Sequence, residues 1–406
     1  MNTIKRAILI IIDDIRSSQF FELISQGLLP NLKELMDNGI YSKECITDFP
    51  SVTYPTQVSI ITGTYTGNFK KEPSHGIPSY HWMGRSTAPP YLRDYGSNTL
   101  QIYKMNQDLG NNCKTILEMV GEENTASITQ YINRGNKYFF PENKLKLIFY
   151  YLIVKFSRNM KKMMAQANTI VIDKLIKNFE RPKKYFGNSE PPIASLLWFM
   201  TSDVLMHLYG FDSFIYKLNL MHIDKVIGIL LKKLKTLGYL DETVIAIIAD
   251  HGNYRAKKVG NLSNFFKGLG LSNYDPRRSI NGNFNISEFT SVGLFNFKSN
   301  KYSELKNYSW YRPSISELQE FGPKKVNLLY ELFKIPDSHL MFYPDDNNRL
   351  DKGIIHLRKK DANSSKIYHG KIEYRGISTN LRSKLVLEDE DEDIFGYSIS
   401  DDQISN

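Results

Sequence analysis

Three apolar runs of strand length, each followed within three residues by an aspartate, constrain the fold of this chain most strongly. They are Arg6–Ile12 with Asp13, residues 193–200 with Asp203, and Thr243–Ala249 with Asp250. Continuous Val, Ile and Leu runs are typical of parallel strands that are buried on both faces. Helical patterns over residues 20–36 and 213–237 separate the runs, which predicts an α/β sandwich around a mostly parallel central sheet.

The positions of these aspartates predict a shared site. Ligands bind at the carboxyl ends of the strands in open parallel sheets, so we expect Asp13, Asp203 and Asp250 at one edge. His207 follows Asp203 by four residues, a spacing that brings both side chains to one side of a helical turn, and His251 follows Asp250 directly. One aspartate after a strand is ordinarily a helix cap or a turn residue. Three of them with two histidines favour a site for divalent metal ions.

A hydroxyl group beside a predicted helix start adds a candidate nucleophile. Pro55 can open a helix over residues 56–61, which leaves the Thr53 hydroxyl at a helix N-terminus. Helix N-termini bind phosphoryl groups through their backbone N–H groups and their positive dipole end. Thr53 would otherwise be a simple N-cap. Together with the metal-type clusters, it indicates a metallohydrolase.

Composition excludes several classes of protein. Cys45 and Cys113 are the only cysteines, so the chain has neither a disulfide framework nor a cysteine-based zinc site, and we expect a reducing, cytoplasmic location. The N-terminus resembles a signal peptide, but its apolar run is short and lacks a small-residue cleavage site, which favours a buried strand. No stretch reaches the roughly 18 uncharged apolar residues of a membrane-spanning helix.

The net charge of +9 favours anionic partners such as phosphate-bearing substrates, nucleic acid or acidic lipid. A solvated lysine-rich surface would give the same value, and the sequence contains no recognised nucleic-acid motif. Residues 143–162 lack proline and glycine and place apolar residues among lysines. Such a basic amphipathic helix can make a weak contact with an anionic membrane, or it can pack on the domain with its lysines in solvent.

Four short motifs, in this order and spacing, resemble the alkaline phosphatase superfamily and most closely its type I phosphodiesterase and nucleotide pyrophosphatase branch. The motifs are Asp13-Asp14-Ile15-Arg16; Phe49-Pro50-Ser51-Val52-Thr53-Tyr54-Pro55 with the later Thr62-Gly63 and His75-Gly76-Ile77; Asp203, His207 and Gly210; and Ala249-Asp250-His251-Gly252-Asn253. The motifs depart from the family pattern in several places. Asp14 replaces a glycine, Ser202 stands where many members have proline, Ala249 and Asn253 replace the residues that flank Asp-His-Gly, and no asparagine directly follows His75-Gly76-Ile77. The resemblance spans about residues 6–255.

The resemblance implies an alkaline-phosphatase-like α/β/α sandwich that holds two divalent metal ions, with zinc as the expected metal. One ion would be bound by Asp13, Thr53, Asp250 and His251, and the other site would begin with Asp203 and His207. The family pattern requires one more histidine near the C-terminus. His369 is the first candidate and His356 the second, although both lie in alternating segments, residues 353–357 and 366–374, that predict a β-hairpin.

The implied activity is hydrolysis of a phosphate ester or anhydride on a small substrate, through a phospho-threonine at Thr53. Residues 1–255 would form the catalytic core, and residues 256–406 a cap or C-terminal region that could complete the sheet. A phosphomonoesterase or a head-group phosphotransferase would use the same threonine and metals. A third alternative is a degenerate, non-catalytic protein that binds at the membrane periphery.

Overall fold

The computed structural model divides the chain into two compact units, which we call unit 1 (Met1–Tyr80 and Asp94–Arg255) and unit 2 (His81–Arg93 and Ala256–Asn406). It describes residues 3–67, 73–85, 87, 89–96, 101–121, 123–254, 262–289, 292–299, 310, 313–335, 338–348, 352–361, 366–375 and 382–387.

The secondary structure mixes strands and helices along the whole described chain. The strands are β1 (Arg6–Ile12), β2 (His81–Gly84), β3 (Tyr91–Asp94), β4 (Thr125–Ile128), β5 (Tyr138–Phe140), β6 (Ala194–Phe199), β7 (Thr243–Ala249), β8 (Phe284–Phe289), β9 (Val292–Phe297), β10 (Leu340–Pro344), β11 (Lys352–Lys360), β12 (Ile367–Arg375) and β13 (Arg382–Leu387). The α-helices are α1 (Ser17–Ser25), α2 (Pro30–Asp37), α3 (Thr53–Thr62), α4 (Met105–Asp108), α5 (Ile116–Val120), α6 (Lys144–Lys155), α7 (Met160–Glu180), α8 (Pro182–Phe186), α9 (Thr201–Tyr209), α10 (Phe214–Thr236), α11 (Leu262–Gly268), α12 (Ile315–Gln319) and α13 (Leu328–Glu331). Short 3-10 turns occupy Gln101–Lys104, Leu240–Glu242 and Leu332–Lys334.

A five-stranded sheet forms the centre of unit 1 in the order β5-β4-β6-β1-β7, and each neighbouring pair is parallel. The predicted α/β class with a mostly parallel central sheet is confirmed. Strand β1 is buried because isoleucines occupy both of its faces. Ile8, Ile10 and Ile12 belong to a core cluster that also contains α7 and α10 side chains such as Leu175 and Ile223. The sheet therefore fixes the positions of the residues that follow β1, β6 and β7.

The helical patterns are mostly confirmed, with different boundaries. The prediction for residues 213–237 corresponds to α10, whereas residues 20–36 form two helices, α1 and α2. Gly27 adopts a positive φ of 70° between them, and Pro30 begins α2, where its fixed φ suits the first helical turn. Residues 143–162 also form two helices, because the Asn159 side chain caps a new helix by accepting a hydrogen bond from the Lys162 N–H.

Unit 2 contains the helices α11, α12 and α13 and antiparallel strand pairs, formed by β8 with β9 and by the consecutive strands from β10 to β13. The predicted hairpin is confirmed as β11 and β12, which pair with Arg358 opposite His369 inside a four-stranded sheet of order β10-β11-β12-β13. Strands β2 and β3 form one two-stranded sheet, and β8 and β9 form another. None of the described strands of unit 2 joins the central sheet, and a cap role for residues 256–406 stays a prediction. Among the described residues, no helix combines the length and the apolar character needed to cross a membrane.

Candidate metal centre and nucleophile

The register of the central sheet brings the predicted aspartates together. Ile12, the last residue of β1, pairs with Phe199 at the end of β6 and with Ala249 at the end of β7. Asp13 and Asp250 therefore leave the sheet at the same edge, and α9 starts two residues after β6 with Asp203 in its first turn. Ligand atoms of Asp13, Asp203 and His251 all lie within 4.8 Å of one another. Three separate sequence motifs thus supply one cluster.

Thr53 lies beside this cluster at the start of α3. Its Oγ1 is 3.1 Å from His251 Nε2, and the same nitrogen is 3.4 Å from Asp13 Oδ1. The helix begins three residues earlier than predicted, with Val52 as the N-cap residue and no side-chain cap hydrogen bond. Thr53 is therefore the first helical residue and not an N-cap. Its hydroxyl lies within hydrogen-bonding distance of the histidine of the cluster.

The Asp250 carboxylate accepts hydrogen bonds from three groups at the edge of the sheet. Its Oδ1 accepts hydrogen bonds from the backbone N–H of His251 at 2.9 Å and of Asp14 at 3.2 Å. Its Oδ2 accepts a 2.6 Å hydrogen bond from Gln57 Nε2, and Gln57 Oε1 in turn accepts one from Gln130 Nε2 at 2.7 Å. A direct metal-ligand role for Asp250 stays a prediction. The structure shows that it joins the ends of β1 and β7 to helix α3.

His207 and Asp203 form the pair predicted from their spacing. His207 Nε2 is 3.3 Å from Asp203 Oδ1, and this hydrogen bond raises the pKa of His207. The His207 side chain is 58% exposed, whereas Asp203 is 22% exposed. Asp203 is thus shared between the three-residue cluster and the more open histidine.

The two C-terminal histidine candidates belong to unit 2. His356 Nε2 is 3.0 Å from Asp345 Oδ2, and its ring stacks on Tyr343 with a centroid distance of 5.0 Å. His369 occupies the β12 position opposite Arg358. Their proposed role as the last ligand of the second metal stays a prediction.

Several carboxylates are buried close together in the cluster, and a bound cation would compensate their negative charge. Burial raises the pKa of Asp13 well above its usual range, and the neighbouring charges of Asp250, Asp203 and Asp14 raise it further. Asp13 Oδ2 accepts a hydrogen bond from Trp198 Nε1, but Oδ1 is buried without a hydrogen bond from any described residue. Buried charge is costly unless it is paired or coordinates a metal. Carboxylate oxygens and imidazole nitrogen are ligands that zinc accepts, so these residues fit a divalent metal ion.

Asp14, which replaces the glycine of the related motif, is also part of this environment. Its φ of 53° lies in the left-handed region, where glycine is least strained. Its Oδ1 is 3.9 Å from His251 Nδ1, and its carbonyl accepts a 2.7 Å hydrogen bond from the Tyr216 hydroxyl. Burial raises the pKa of Asp14 to about 6. The departure from the family motif at this position therefore places another carboxylate beside His251.

Sequence reasoning also missed a polar chain that fixes the segment after α3. His75 is fully buried, and its Nδ1 accepts a 3.1 Å hydrogen bond from the Ile77 N–H. The proton therefore resides on Nε2, which lies 3.0 Å from Ser59 Oγ, and Ser59 donates to Asp48 Oδ2 at 2.5 Å. The chain ties the His-Gly-Ile motif to the helix that carries Thr53.

Protonation of His75 should make folding stability depend on pH. Burial lowers the pKa of His75 to about 4 from an ordinary value near 6.5, so between these values the unfolded chain binds a proton that the native chain does not. Stability is then lost as pH falls below about 6.5, at about 1.4 kcal/mol per pH unit. Urea unfolding of the wild type and His75→Gln at pH 7 and pH 5 should show that the stability difference between them shrinks by about 2 kcal/mol at the lower pH. The exposed His339→Gln is the control, and an equal pH effect in both variants would contradict the assignment.

Comparison with known proteins places these motifs in a family. The family model of type I phosphodiesterases and nucleotide pyrophosphatases matches residues 7–306. A Schizosaccharomyces pombe protein named as an uncharacterized pyrophosphatase/phosphodiesterase is 22% identical over 311 residues, which are 75% of this chain and 57% of that protein. The chain thus spans little more than half the length of this relative.

A solved structure shares the fold. Murine ectonucleotide pyrophosphatase/phosphodiesterase 5, determined as an inactive variant in complex with AMP, superimposes with a TM-score of 0.52 at 16% identity. The match covers 84% of this chain and 72% of the murine chain. At this identity the likeness concerns the fold, which has a mixed α/β architecture with a parallel central sheet.

Proposed function

Because the chain belongs to the type I phosphodiesterase/nucleotide pyrophosphatase family, we propose that it hydrolyses phosphate ester or anhydride bonds with Thr53 as its nucleophile. The observation that carries the proposal is the 3.1 Å approach of Thr53 Oγ1 to His251 Nε2, beside the buried Asp13 and Asp203. A nucleophilic hydroxyl requires a neighbouring group that favours its deprotonated form.

The proposed metal ligands are the set that the family resemblance implies, of which Asp13, Asp203 and His251 have ligand atoms within 4.8 Å of one another. Asp13, Thr53, Asp250 and His251 would hold one divalent ion, and Asp203 with His207 would begin the second site. Two such ions, with zinc as the expected metal, would supply positive charge that favours an ionised Thr53 hydroxyl and offsets charge on the phosphoryl oxygens. Asp13 is held in place by Trp198 Nε1, and Asp250 keeps the backbone of Asp14 and His251 fixed.

The reaction follows from where Thr53 lies. Its oxygen forms a bond to phosphorus while the bond from phosphorus to the leaving oxygen breaks, and the hydroxyl proton ends on the leaving oxygen or in solvent, which gives a phospho-threonine. Water then attacks phosphorus while the bond from phosphorus to the threonine oxygen breaks, and the proton that water loses restores the threonine hydroxyl. The N-terminus of α3 provides positive electrostatic potential beside the phosphoryl group. The substrate is proposed as a small phosphate-bearing molecule, for which a nucleotide is one member of the class.

The proposal is tested by assaying purified protein on a chromogenic phosphodiester and a chromogenic monoester, with zinc content measured on the same sample. Metal-dependent release of the chromophore and a phosphorylated peptide containing Thr53 are the expected results. A preference for the monoester would indicate a phosphomonoesterase, and transfer to an added alcohol in place of water would indicate a phosphotransferase. Absence of turnover in a metal-loaded sample would overturn the proposal and favour a non-catalytic binding protein.

Contact with an anionic membrane through residues 143–162 is also supported by a specific observation. Leu145, Phe149, Leu152 and the following Phe156 are 77%, 60%, 43% and 74% exposed, and their spacing places them on one side of α6. We call these four residues the α6 stripe. Exposed apolar side chains beside lysines are typical of helices that bind at a membrane surface. Co-sedimentation with vesicles of neutral and anionic lipid tests this contact.

The proposed location remains cytoplasmic. Cys45 is exposed and Cys113 is buried, and both are free thiols in the structure. Exposed free thiols are typical of reducing compartments.

A further inference from the structure

Asp14 has no part in the reaction proposed above, and its conformation is unfavourable. Its φ of 53° lies in the left-handed region, where a side chain is strained and glycine is not. The residue is 1% exposed, and neither carboxylate oxygen makes a hydrogen bond of ordinary geometry with a described residue. Burial raises the pKa of Asp14, and the nearby Asn253 side chain offsets only part of that rise. A strained and buried carboxylate lowers stability, which points to a functional role.

Neighbouring segments hold the backbone of Asp14 from both sides. Its N–H donates to Asp250 Oδ1 at 3.2 Å, and its carbonyl accepts a 2.7 Å hydrogen bond from the Tyr216 hydroxyl of α10. The carbonyl of Asp13 accepts a further hydrogen bond from Ser202 Oγ. These contacts fix the direction in which the Asp14 side chain leaves the backbone.

The carboxylates of Asp13 and Asp14 lie beside the two nitrogens of one imidazole ring. Asp13 Oδ1 is 3.4 Å from His251 Nε2, and Asp14 Oδ1 is 3.9 Å from His251 Nδ1. Neighbouring side chains of an extended strand point to opposite faces, and the positive φ of Asp14 breaks this alternation directly after β1. Two adjacent carboxylates can therefore reach the same histidine, whose side chain is only 8% exposed.

This arrangement matches the surroundings of a metal-binding histidine. Such a histidine binds the ion through one ring nitrogen and commonly donates the N–H of the other to a carboxylate, which fixes the tautomer and orients the ring. His251 Nε2 is the nitrogen beside Asp13 and Thr53, which leaves Nδ1 to carry the proton toward Asp14. The 3.9 Å separation is about 1 Å longer than an ordinary N–H···O hydrogen bond. Rotation of the carboxylate shortens it at little cost, because the last side-chain torsion of aspartate has broad minima.

We propose that Asp14 is a positioning residue for His251. Its carboxylate accepts the Nδ1 proton and thereby presents the Nε2 lone pair to a divalent metal ion. The proposal rests on the proposed metal site, and it gives a role to a residue that stands where the family motif has glycine. A direct bond from Asp14 to the ion is the alternative that the experiments below distinguish.

The first test is zinc affinity, measured by competition with a chromogenic chelator on the wild type, Asp14→Gly and Asp14→Asn. Loss of a carboxylate behind a metal-binding histidine typically costs 10- to 100-fold in metal affinity, and we expect about this loss in Asp14→Gly. Asp14→Asn keeps an oxygen that can accept the Nδ1 proton, so it should recover most of the loss. Equal losses in the two variants would indicate a direct bond to the ion and overturn the positioning role.

Folding stability separates this role from a purely structural one. Glycine removes the strain of the positive φ and a buried negative charge, so Asp14→Gly should raise the Tm of chelator-treated protein while it weakens zinc binding. Lys325 is an exposed residue of unit 2 with a similar φ of 48°, and Lys325→Gly should leave the zinc affinity unchanged. A lower Tm of chelator-treated Asp14→Gly would assign Asp14 a structural role and contradict the proposal.

Nuclear magnetic resonance locates the ring proton directly. The chain contains eight histidines, so a sample labelled with ¹⁵N only in histidine gives a simple spectrum, in which His251→Gln identifies the His251 signals. Zinc-loaded wild type should carry the proton on Nδ1 and the metal on Nε2. The Nδ1 proton should exchange with water faster in Asp14→Gly than in Asp14→Asn. Metal on Nδ1 would overturn the proposal.

The combined results separate this inference from the proposed reaction. If Asp14→Gly binds zinc more weakly than the wild type but the wild type hydrolyses no ester, the reaction is wrong and the role of Asp14 is retained. If the wild type hydrolyses esters and both proteins bind zinc equally, the reaction is retained and the role of Asp14 is wrong. Absence of zinc binding by the wild type would overturn the role of Asp14 and the proposed metal site together.

Discussion

Replacing Thr53 by alanine should lower kcat by about three to six orders of magnitude, because the variant lacks the oxygen that attacks phosphorus. The structure places this oxygen 3.1 Å from His251 Nε2, at the first position of α3. The measurement is hydrolysis of the chromogenic diester by wild type and variant at equal metal content. Thr53→Ser keeps a hydroxyl and should retain measurable turnover and a trapped phosphoserine.

A second threonine on the same helix provides the control. Thr56 is buried, and its Oγ1 makes no hydrogen bond to any described residue, so Thr56→Ala removes a hydroxyl from α3 without breaking a hydrogen bond between described residues. It should therefore retain the wild-type kcat. If Thr53→Ala kept more than a tenth of the activity, the nucleophile would be another group or a water molecule, and the phospho-threonine reaction would be wrong.

A divalent metal ion should stabilise the folded chain strongly, because it compensates the charges of the buried Asp13, Asp14 and Asp250. A ligand at 100 times its Kd stabilises the native state by about 2.7 kcal/mol. We expect a chelator to lower Tm and added zinc to restore it. Asp13→Asn should keep a side-chain oxygen as acceptor for Trp198 but lose one negative charge from the cluster. Its metal-induced Tm shift should therefore be much smaller than that of the wild type.

Another buried aspartate offers a matched control for this prediction. Asp224 is 2% exposed, as Asp13 is, but its carboxylate accepts hydrogen bonds from the Leu32 N–H at 2.8 Å and from Asn31 Nδ2 at 2.7 Å, at the start of α2. Asp224→Asn should reduce stability with and without metal by the same amount. Retention of the full metal-induced shift in Asp13→Asn would show that the cation binds elsewhere.

Local sequence patterns were sufficient to predict that the residues directly after the strands would lie close together. Asp13 and Asp250 come directly after continuous apolar runs, and parallel strands with matched ends bring such residues to one edge. The spacing of Asp203 and His207 predicts their contact because residues four apart are neighbours on a helix. These relations depend only on the periods of strands and helices.

Residues that join distant segments were not predicted. Gln57 donates to Asp250, 193 positions later in the chain, and Trp198 donates to Asp13, 185 positions earlier. Glutamine and tryptophan occur in many buried environments, so neither residue type signals such a contact. An apolar cavity of about 490 Å³ between the central sheet and the helices α6 and α7 was missed for a similar reason, since an apolar helix looks the same in sequence whether it fills a core or covers a void.

The sequence by itself determined the class of fold and the kinds of side chain available to the site, since the apolar runs specify buried parallel strands and the motifs that follow them specify carboxylates, imidazoles and a hydroxyl. Only the tertiary structure decided which of these groups share a site. It placed His251 Nε2 within 3.1 Å of Thr53 Oγ1 and 3.4 Å of Asp13 Oδ1. It also directed the Asp250 carboxylate to the backbone N–H of Asp14 and formed a cavity that Tyr54 lines. The physical reason is that secondary structure follows from short-range periodicity, whereas hydrogen bonds and cavities depend on how distant segments pack.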